Sequence, residues 1–246
     1  MVNRSEEKSR ALRDSLKKEF PQAEISWYLC DLEDPGQVAS LCRELKALPI
    51  DVLMLNAGTY AIPRALSSAG YDTVFETNFL SHYRMVKALL PVLKARQTKV
   101  VATGSIAHRF HLSDPEDIDF ANHSGANDIY GNSKRYLMFA LMELLQKEKV
   151  PFAVGHPGIC FTGITSHYPP KLLKIVRFSM RLLFMHPEKA CRSMVEAVFT
   201  DVPYLYWIGP GIFDIWGNPR MKALTSCDAA ERTAIFEQAE KICGSL

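Results

Sequence analysis

Tyr130 and Lys134, in the stretch Tyr130-Gly131-Asn132-Ser133-Lys134, stand four residues apart, which puts both side chains on one face of a helix. An ammonium one turn from a phenol favours the phenolate and lowers the tyrosine pKa from about 10 toward neutrality. Such a tyrosine can give or take a proton at physiological pH. Ser105 lies upstream, just past the apolar run Lys99-Val100-Val101-Ala102-Thr103. A hydroxyl at that strand end can hydrogen-bond the same reacting oxygen and fix its direction. The spacing alone is weak evidence, because Tyr83 and Lys87 repeat it. That second pair has no serine at a strand end, so it is read as structural.

The elements that must position these groups alternate between strand and helix. Helical patterns cover 5–20, with Ser5 as N-cap and Pro21 closing it, then 37–45, 71–93 and 129–147, the last strongly amphipathic. Short apolar runs at 25–29, 51–55, 99–103 and 152–154 read as strands, with 51–55 buried on both faces. Further helix is expected over 171–184, 187–199 and from Asp228, and a short apolar piece over 204–208. This alternation predicts an α/β fold, a mostly parallel doubly wound sheet with helices on both faces, as one domain over 1–246. In such a sheet ligands gather at the carboxyl ends of the strands. Those ends carry Asp31, Asn56-Ala57-Gly58, Ser105 and Pro157-Gly158.

Composition narrows the function classes. Hydrophobic residues at 48% and charged residues at 23% are ordinary for a soluble globular chain. A formal net charge of +2, with no basic tract interleaved with aromatics, argues against nucleic-acid binding. Six cysteines are scattered without a Cys-x-x-Cys pair and read as small buried hydrophobes in a reduced, cytoplasmic protein. The start of the chain is polar and charged, unlike a secretory signal, and no apolar run is long enough to span a bilayer. His82, His108, His111 and His123 show no metal-ligand spacing, and His156 is read as filling a packed site.

Taken in order, Asp31-Leu32, Asn56-Ala57-Gly58, Asn78, Ser105, Tyr130/Lys134, and Pro157-Gly158 with Thr162 resemble the short-chain dehydrogenase/reductase superfamily. Asp117-Ile118-Asp119-Phe120 and His156-Pro157-Gly158 look like its retinol-dehydrogenase and carbonyl-reductase branch. The resemblance implies hydride transfer between NADP(H), or NAD(H), and a carbonyl or alcohol. Tyr130 would then be the acid/base, Lys134 would hold the ribose and the phenolate, and Ser105 would hold the substrate oxygen. Asn78 would anchor a water of the proton relay. It also implies adenosine contacts at Asp31, Leu32, Asn56, Ala57 and Gly58, nicotinamide contacts at Pro157, Gly158 and Thr162, and a 2′-phosphate contact at Arg4. Homo-oligomers built on the helices containing Asn78 and Tyr130 are a further implication. A basic segment, Lys171, Lys174, Arg177 and Arg181 at helical spacing, is read as a solvated lid face in preference to a membrane-surface helix.

One departure stands out. The family opens with a strand and a glycine-rich turn whose backbone approaches the pyrophosphate at a helix N-terminus. The sequence has no counterpart, and its first residues look like the end of the family's second strand. The resemblance thus implies that a βα unit of roughly 30–40 residues is absent. Its loss would part 25–29 from 51–55 and leave two open edges. A shortened version of a working enzyme is the preferred explanation. The alternatives are a cofactor-dead remnant acting through protein contacts and a sheet that re-pairs to close the gap.

Overall fold

The structure, a computed structural model, describes residues 1–110, 113–118, 120–159 and 185–244. Thr162 and the basic segment over 171–181 lie outside the described residues.

Five strands form the main sheet: β3 (Val52–Leu55), β4 (Lys99–Thr103), β5 (Phe152–Gly155), β6 (Tyr206–Ile212) and β7 (Trp216–Ala223). The first four run parallel and β7 returns antiparallel to β6. Two further strands, β1 (Val2–Asn3) and β2 (Tyr28–Leu29), pair parallel in a small sheet of their own. Among the described residues β1 pairs only with β2 and β3 only with β4, so the gap has not closed by re-pairing.

Side chains alternate across a strand, and β4 and β5 use both faces. Val100, Ala102 and Val154 enter the larger core with α4 (Ser81–Arg96) and α5 (Ala126–Glu148). Val101 and Ala153 enter a second cluster on the opposite face, with Ile208 and with Met194 and Ala197 of α7 (Arg192–Phe199), which follows the short α6 (Pro187–Ala190). The C-terminal helix α8 (Ala229–Cys243), capped by Asp228, lies across α4 and α5. It uses the second tyrosine-lysine pair: Tyr83 donates to Glu240 at 2.7 Å and Lys87 donates to the same carboxylate. That pair is structural, as expected.

Several expectations need correction. α5 is buried on nearly every side, not amphipathic, because α4, α8 and the sheet enclose it. β3 is not buried on both faces: Val52 and Met54 are 41% and 42% exposed while Leu55 is 2% exposed. The face bearing Val52 and Met54 has no covering layer among the described residues. Its counterpart α1 (Glu6–Glu19), capped by Ser5, buries only Ser9. α2 (Pro35–Leu45) is firmly seated by contrast, burying Val38, Leu41, Cys42 and Leu45 against the core. The expected helix over 71–93 is broken into α3 (Thr73–Phe75), a π-helical turn (Glu76–Leu80) and α4. Strand β7 was not anticipated. Cys30, Cys42, Cys227 and Cys243 are buried free thiols, while Cys191 is exposed.

Candidate active site

The carboxyl ends of β3, β4 and β5 meet the start of α5, and Lys134 is where they join. Its Nζ donates to Thr103 O at 3.1 Å, and Thr103 Oγ1 in turn donates to Asn56 Oδ1 at 3.1 Å. Lys134 is 3% exposed, and no carboxylate among the described residues pairs with it. Burial lowers its pKa from 10.5 to about 8. A buried cation with one hydrogen bond and two spare donors is costly in a closed core and suited to a ligand bringing hydroxyls.

Asn56-Ala57-Gly58 sits against this ammonium. A Cβ built on Gly58 would come 3.2 Å from Asn78 Oδ1 and 3.4 Å from Lys134 Nζ, so glycine permits the close approach. Asn78 accepts from Thr59 N at 2.7 Å and donates to Thr59 O at 2.9 Å and Ser133 Oγ at 3.0 Å. Its side chain therefore pins the turn after β3. The π-helical turn that carries it is a distortion common at functional sites. Ser133 Oγ donates back to Tyr130 O at 2.8 Å, linking Asn78 to the tyrosine's own backbone.

Tyr130 is half-buried on the first turns of α5 and stands edge-on to Tyr60, with ring centroids 5.0 Å apart. Lys134 Nζ lies 6.0 Å from the Tyr130 ring centroid, within cation–π range. Ser105, also half-buried, caps the turn Ile106–Arg109 by accepting from Ala107 N at 3.2 Å. His108 packs behind it, its ring nitrogen Nδ1 2.5 Å from Ser105 O. His156 stacks on Trp207 at 4.9 Å and its Nδ1 is 3.3 Å from Gly104 O, tying the loop after β5 to the Ser105 turn. Pro157 and Gly158 follow, with Gly158 at φ 77° and a virtual Cβ 2.7 Å from Ile215 O.

Not every expected residue reaches this site. Asp31 accepts from Glu33 N at 3.0 Å, and Leu32 is buried in the core while its carbonyl accepts from Ser81 Oγ. Arg4 is shared between Glu33 at 3.3 Å and Asp31 at 3.8 Å, on the small sheet. His82 was missed: its Nε2 is 3.0 Å from Ala57 O, holding the turn from below. Burial lowers its pKa to about 4, which keeps the ring neutral. No spacing signal in the sequence marks it, since it meets Ala57 only through the fold. Ser133, two positions after Gly131, was legible as a helical hydroxyl able to bond back one turn.

Comparison with known proteins bears on the fold and the family. A family model described as short chain dehydrogenase matches residues 1–114. Polyprenol dehydrogenase of Mus musculus is 26% identical over 209 residues, covering 80% of this chain and 62% of that protein. The match thus spans less than two thirds of that relative's length. The chloroplastic short-chain dehydrogenase TIC 32 A of Brassica napus is 26% identical over 218 residues, covering 82% and 68%. Among solved structures, a putative uncharacterized protein from Mycobacterium paratuberculosis gives a TM-score of 0.72 at 23% identity, over 99% of this chain and 83% of that one. An alcohol dehydrogenase from Thermococcus sibiricus, complexed with 5-hydroxy-NADP, gives 0.57 at 21%, over 82% and 79%. These structures share the Rossmann-type α/β fold. Motifs, sheet order and relatives agree in likening the chain to the short-chain dehydrogenase/reductase superfamily of oxidoreductases.

Proposed function

We propose that the protein interconverts a carbonyl and an alcohol using NADP(H), with Tyr130 as the acid/base. The observation that carries this reading is the buried, carboxylate-free ammonium of Lys134, one turn from Tyr130 and against Asn56–Gly58. Perturbed, desolvated cations in such a position mark functional sites. The nicotinamide-ribose end of the cofactor fits here, because Lys134 has spare donors and Gly58 leaves space. The diphosphate end has no matching cradle among the described residues, where no glycine-rich turn opens a helix beside β3. When bound, the cofactor would supply or accept the hydride. Tyr130 Oη gives its proton to the substrate oxygen in reduction and recovers it in oxidation. Ser105 Oγ donates a hydrogen bond to that oxygen, and Lys134 donates to ribose hydroxyls while holding the phenolate.

Arg4 supports NADP(H) over NAD(H). Its pairing with Glu33 and Asp31 is exposed, worth under about 1 kcal/mol, so a 2′-phosphate can displace it. A lipophilic alcohol or ketone is the favoured substrate class, consistent with the name of the polyprenol relative. Titrating the protein with NADPH and NADH while following its melting tests the reading. Ligand at 100 times its Kd adds about 2.7 kcal/mol of stability. Tyr130→Phe should abolish turnover and keep the NADPH shift; turnover retained in that variant would end the assignment.

A second reading rests on the open gap. Val2, Leu29, Val52 and Met54 are exposed apolar residues on the strands flanking it. If neither nucleotide shifts the melting of a folded sample, the chain is a cofactor-dead member of the family acting through protein contacts.

A further inference from the structure

Behind α5, on the side away from Tyr130 and Lys134, the turn Pro115–Asp117 and the loop after it fold over a small cavity. Asp114, Asp117 and His123 each turn one ligand-type atom toward the others, all within 4.8 Å of one another. Asp117 is buried, and its Oδ2 lies 2.9 Å from His123 Nδ1. These three alone would be an ordinary loop-organising cluster, since Asp117 also accepts from the backbone N–H groups of Asn122 and His123.

The opposite wall of the cavity changes that assessment. Asn132 and Tyr136 of α5 line it, 6% and 1% exposed. Asn132 Oδ1 and the Tyr136 hydroxyl are both buried there without a hydrogen-bond partner. A buried polar atom left unpaired carries an uncompensated desolvation penalty, so two on one wall call for an occupant. The cavity, about 10 Å³, has room for one water-sized particle, so an ion would sit among the three ligand-type atoms with a single water of its own in the cavity. Asp114, Asp117 and Asn132 Oδ1 offer electron pairs, and His123 Nδ1, which donates to Asp117 Oδ2, offers one once its proton sits on Nε2. A lone water could donate to Asn132 Oδ1 and accept from Tyr136 Oη but would leave two carboxylates side by side, whereas a cation with its own bound water serves both needs.

We infer that Asp114, Asp117 and His123 bind a first-row divalent metal ion, with Asn132 Oδ1 and Tyr136 accepting hydrogen bonds from water on the ion. Two carboxylates with one imidazole select Mn²⁺ or Zn²⁺ over Mg²⁺ and Ca²⁺, which prefer all-oxygen shells. Ligand atoms about 2.2 Å from an ion stand at most about 4.4 Å apart, so the cluster has only to contract by a few tenths of an ångström. His123 would carry its proton on Nε2 and offer Nδ1, so no net proton is released by the neutral ring. The His123 side chain is 57% exposed, which leaves a path for ion exchange. Such an ion would fasten the loop ahead of Tyr130 to α5, and its existence does not depend on the proposed redox activity.

The test is an Mn²⁺ titration of the chelator-treated full chain, read by loss of the free-ion electron paramagnetic resonance signal and by melting temperature. Mn²⁺ is the primary probe because Zn²⁺ also takes exposed thiols such as Cys191. One saturable Mn²⁺ per chain that raises the melting temperature is expected, with Mg²⁺ and Ca²⁺ competing at least tenfold more weakly. Asp114→Asn and His123→Gln, both at exposed positions, should each fold and weaken binding at least tenfold. Absence of saturable binding, binding unchanged in both variants, or Mg²⁺ and Ca²⁺ binding as tightly as Mn²⁺ would each overturn the inference, leaving a cavity that holds water.

Discussion

Replacing Lys134 with methionine should make the folded protein more stable while disabling the proposed chemistry. Burial lowers the Lys134 pKa from 10.5 to about 8. Each pKa unit corresponds to about 1.4 kcal/mol, so keeping this ammonium charged at pH 7 costs the fold about 3 kcal/mol. Methionine has a similar unbranched length and escapes that cost. It also gives up the hydrogen bond to Thr103 O, about 1.5–3 kcal/mol for a charged donor. The net gain is up to about 1.5 kcal/mol, or up to roughly 6 °C in Tm for a chain of this size. The sign of the pH dependence is fixed as well. The unfolded chain keeps its lysine proton to about pH 10.4, the folded chain only to about 8. Between those values the unfolded state binds more protons, so wild-type stability rises with pH and the variant's advantage shrinks. Urea melts of both proteins at pH 7, 9 and 10.5 measure this directly. A variant less stable than wild type at pH 7, or an advantage unchanged at pH 10.5, would refute the idea that the ammonium is held at a cost. A residue that destabilises its own fold is what selection for function, not for stability, leaves behind.

Other perturbations test the rest of the site. His82, His108 and His156 are buried, which lowers each pKa from 6.5 to about 4. Unfolding lets each ring take a proton between those values, so stability is lost as pH falls through 6.5 toward 4, by up to about 4 kcal/mol per pH unit; urea midpoints that do not move between pH 7 and 5 would contradict their burial as neutral rings. Tyr83→Phe removes a hydrogen bond to Glu240 and should cost about 1–2 kcal/mol without changing turnover; a selective loss of turnover would return the Tyr83–Lys87 pair to candidacy. Gly158→Ala meets both a positive φ and the Ile215 carbonyl, so it should lower Tm by several degrees, and a melt indistinguishable from wild type would show that the turn relaxes freely.

Local signals carried much of this architecture. Ser5 was visible as a cap and Asp228 as the start of the last helix, and β4 spans the residues its apolar run marked. Side-chain partners made only by tertiary contact were not visible. His82 reaches Ala57 across 25 positions, and Arg135, next to Lys134, is buried in a salt bridge with Glu231 of α8. The break in the helix before α4 was equally hidden, because the residues of the π-helical turn have ordinary helical propensities and the extra residue is stabilised by the contacts of Asn78. β7 carries Gly217 and Pro219, which weaken a strand signal in the sequence, yet as an edge strand it tolerates both.

The burial of β3 shows where periodicity stops being informative. The run 51–55 says that these side chains can be buried on two faces; it says nothing about whether a neighbour is there to bury them. β4, in the middle of the sheet, has α5 on one side and α7 on the other, so Val100 and Val101 both reach 0% exposure. β3 has β4 on one edge only, and Val52 and Met54 look out over an uncovered face. Flanking strands of two and four residues keep that opening short, which limits but does not abolish its capacity to template another strand. The residues proposed for the chemistry, Ser105 just after β4 and Tyr130 and Lys134 on α5, lie beyond this defect, beside strands with neighbours on both edges. Their geometry can therefore be intact while the neighbouring phosphate region is not, which is why nucleotide binding and Tyr130 chemistry must be measured as separate properties.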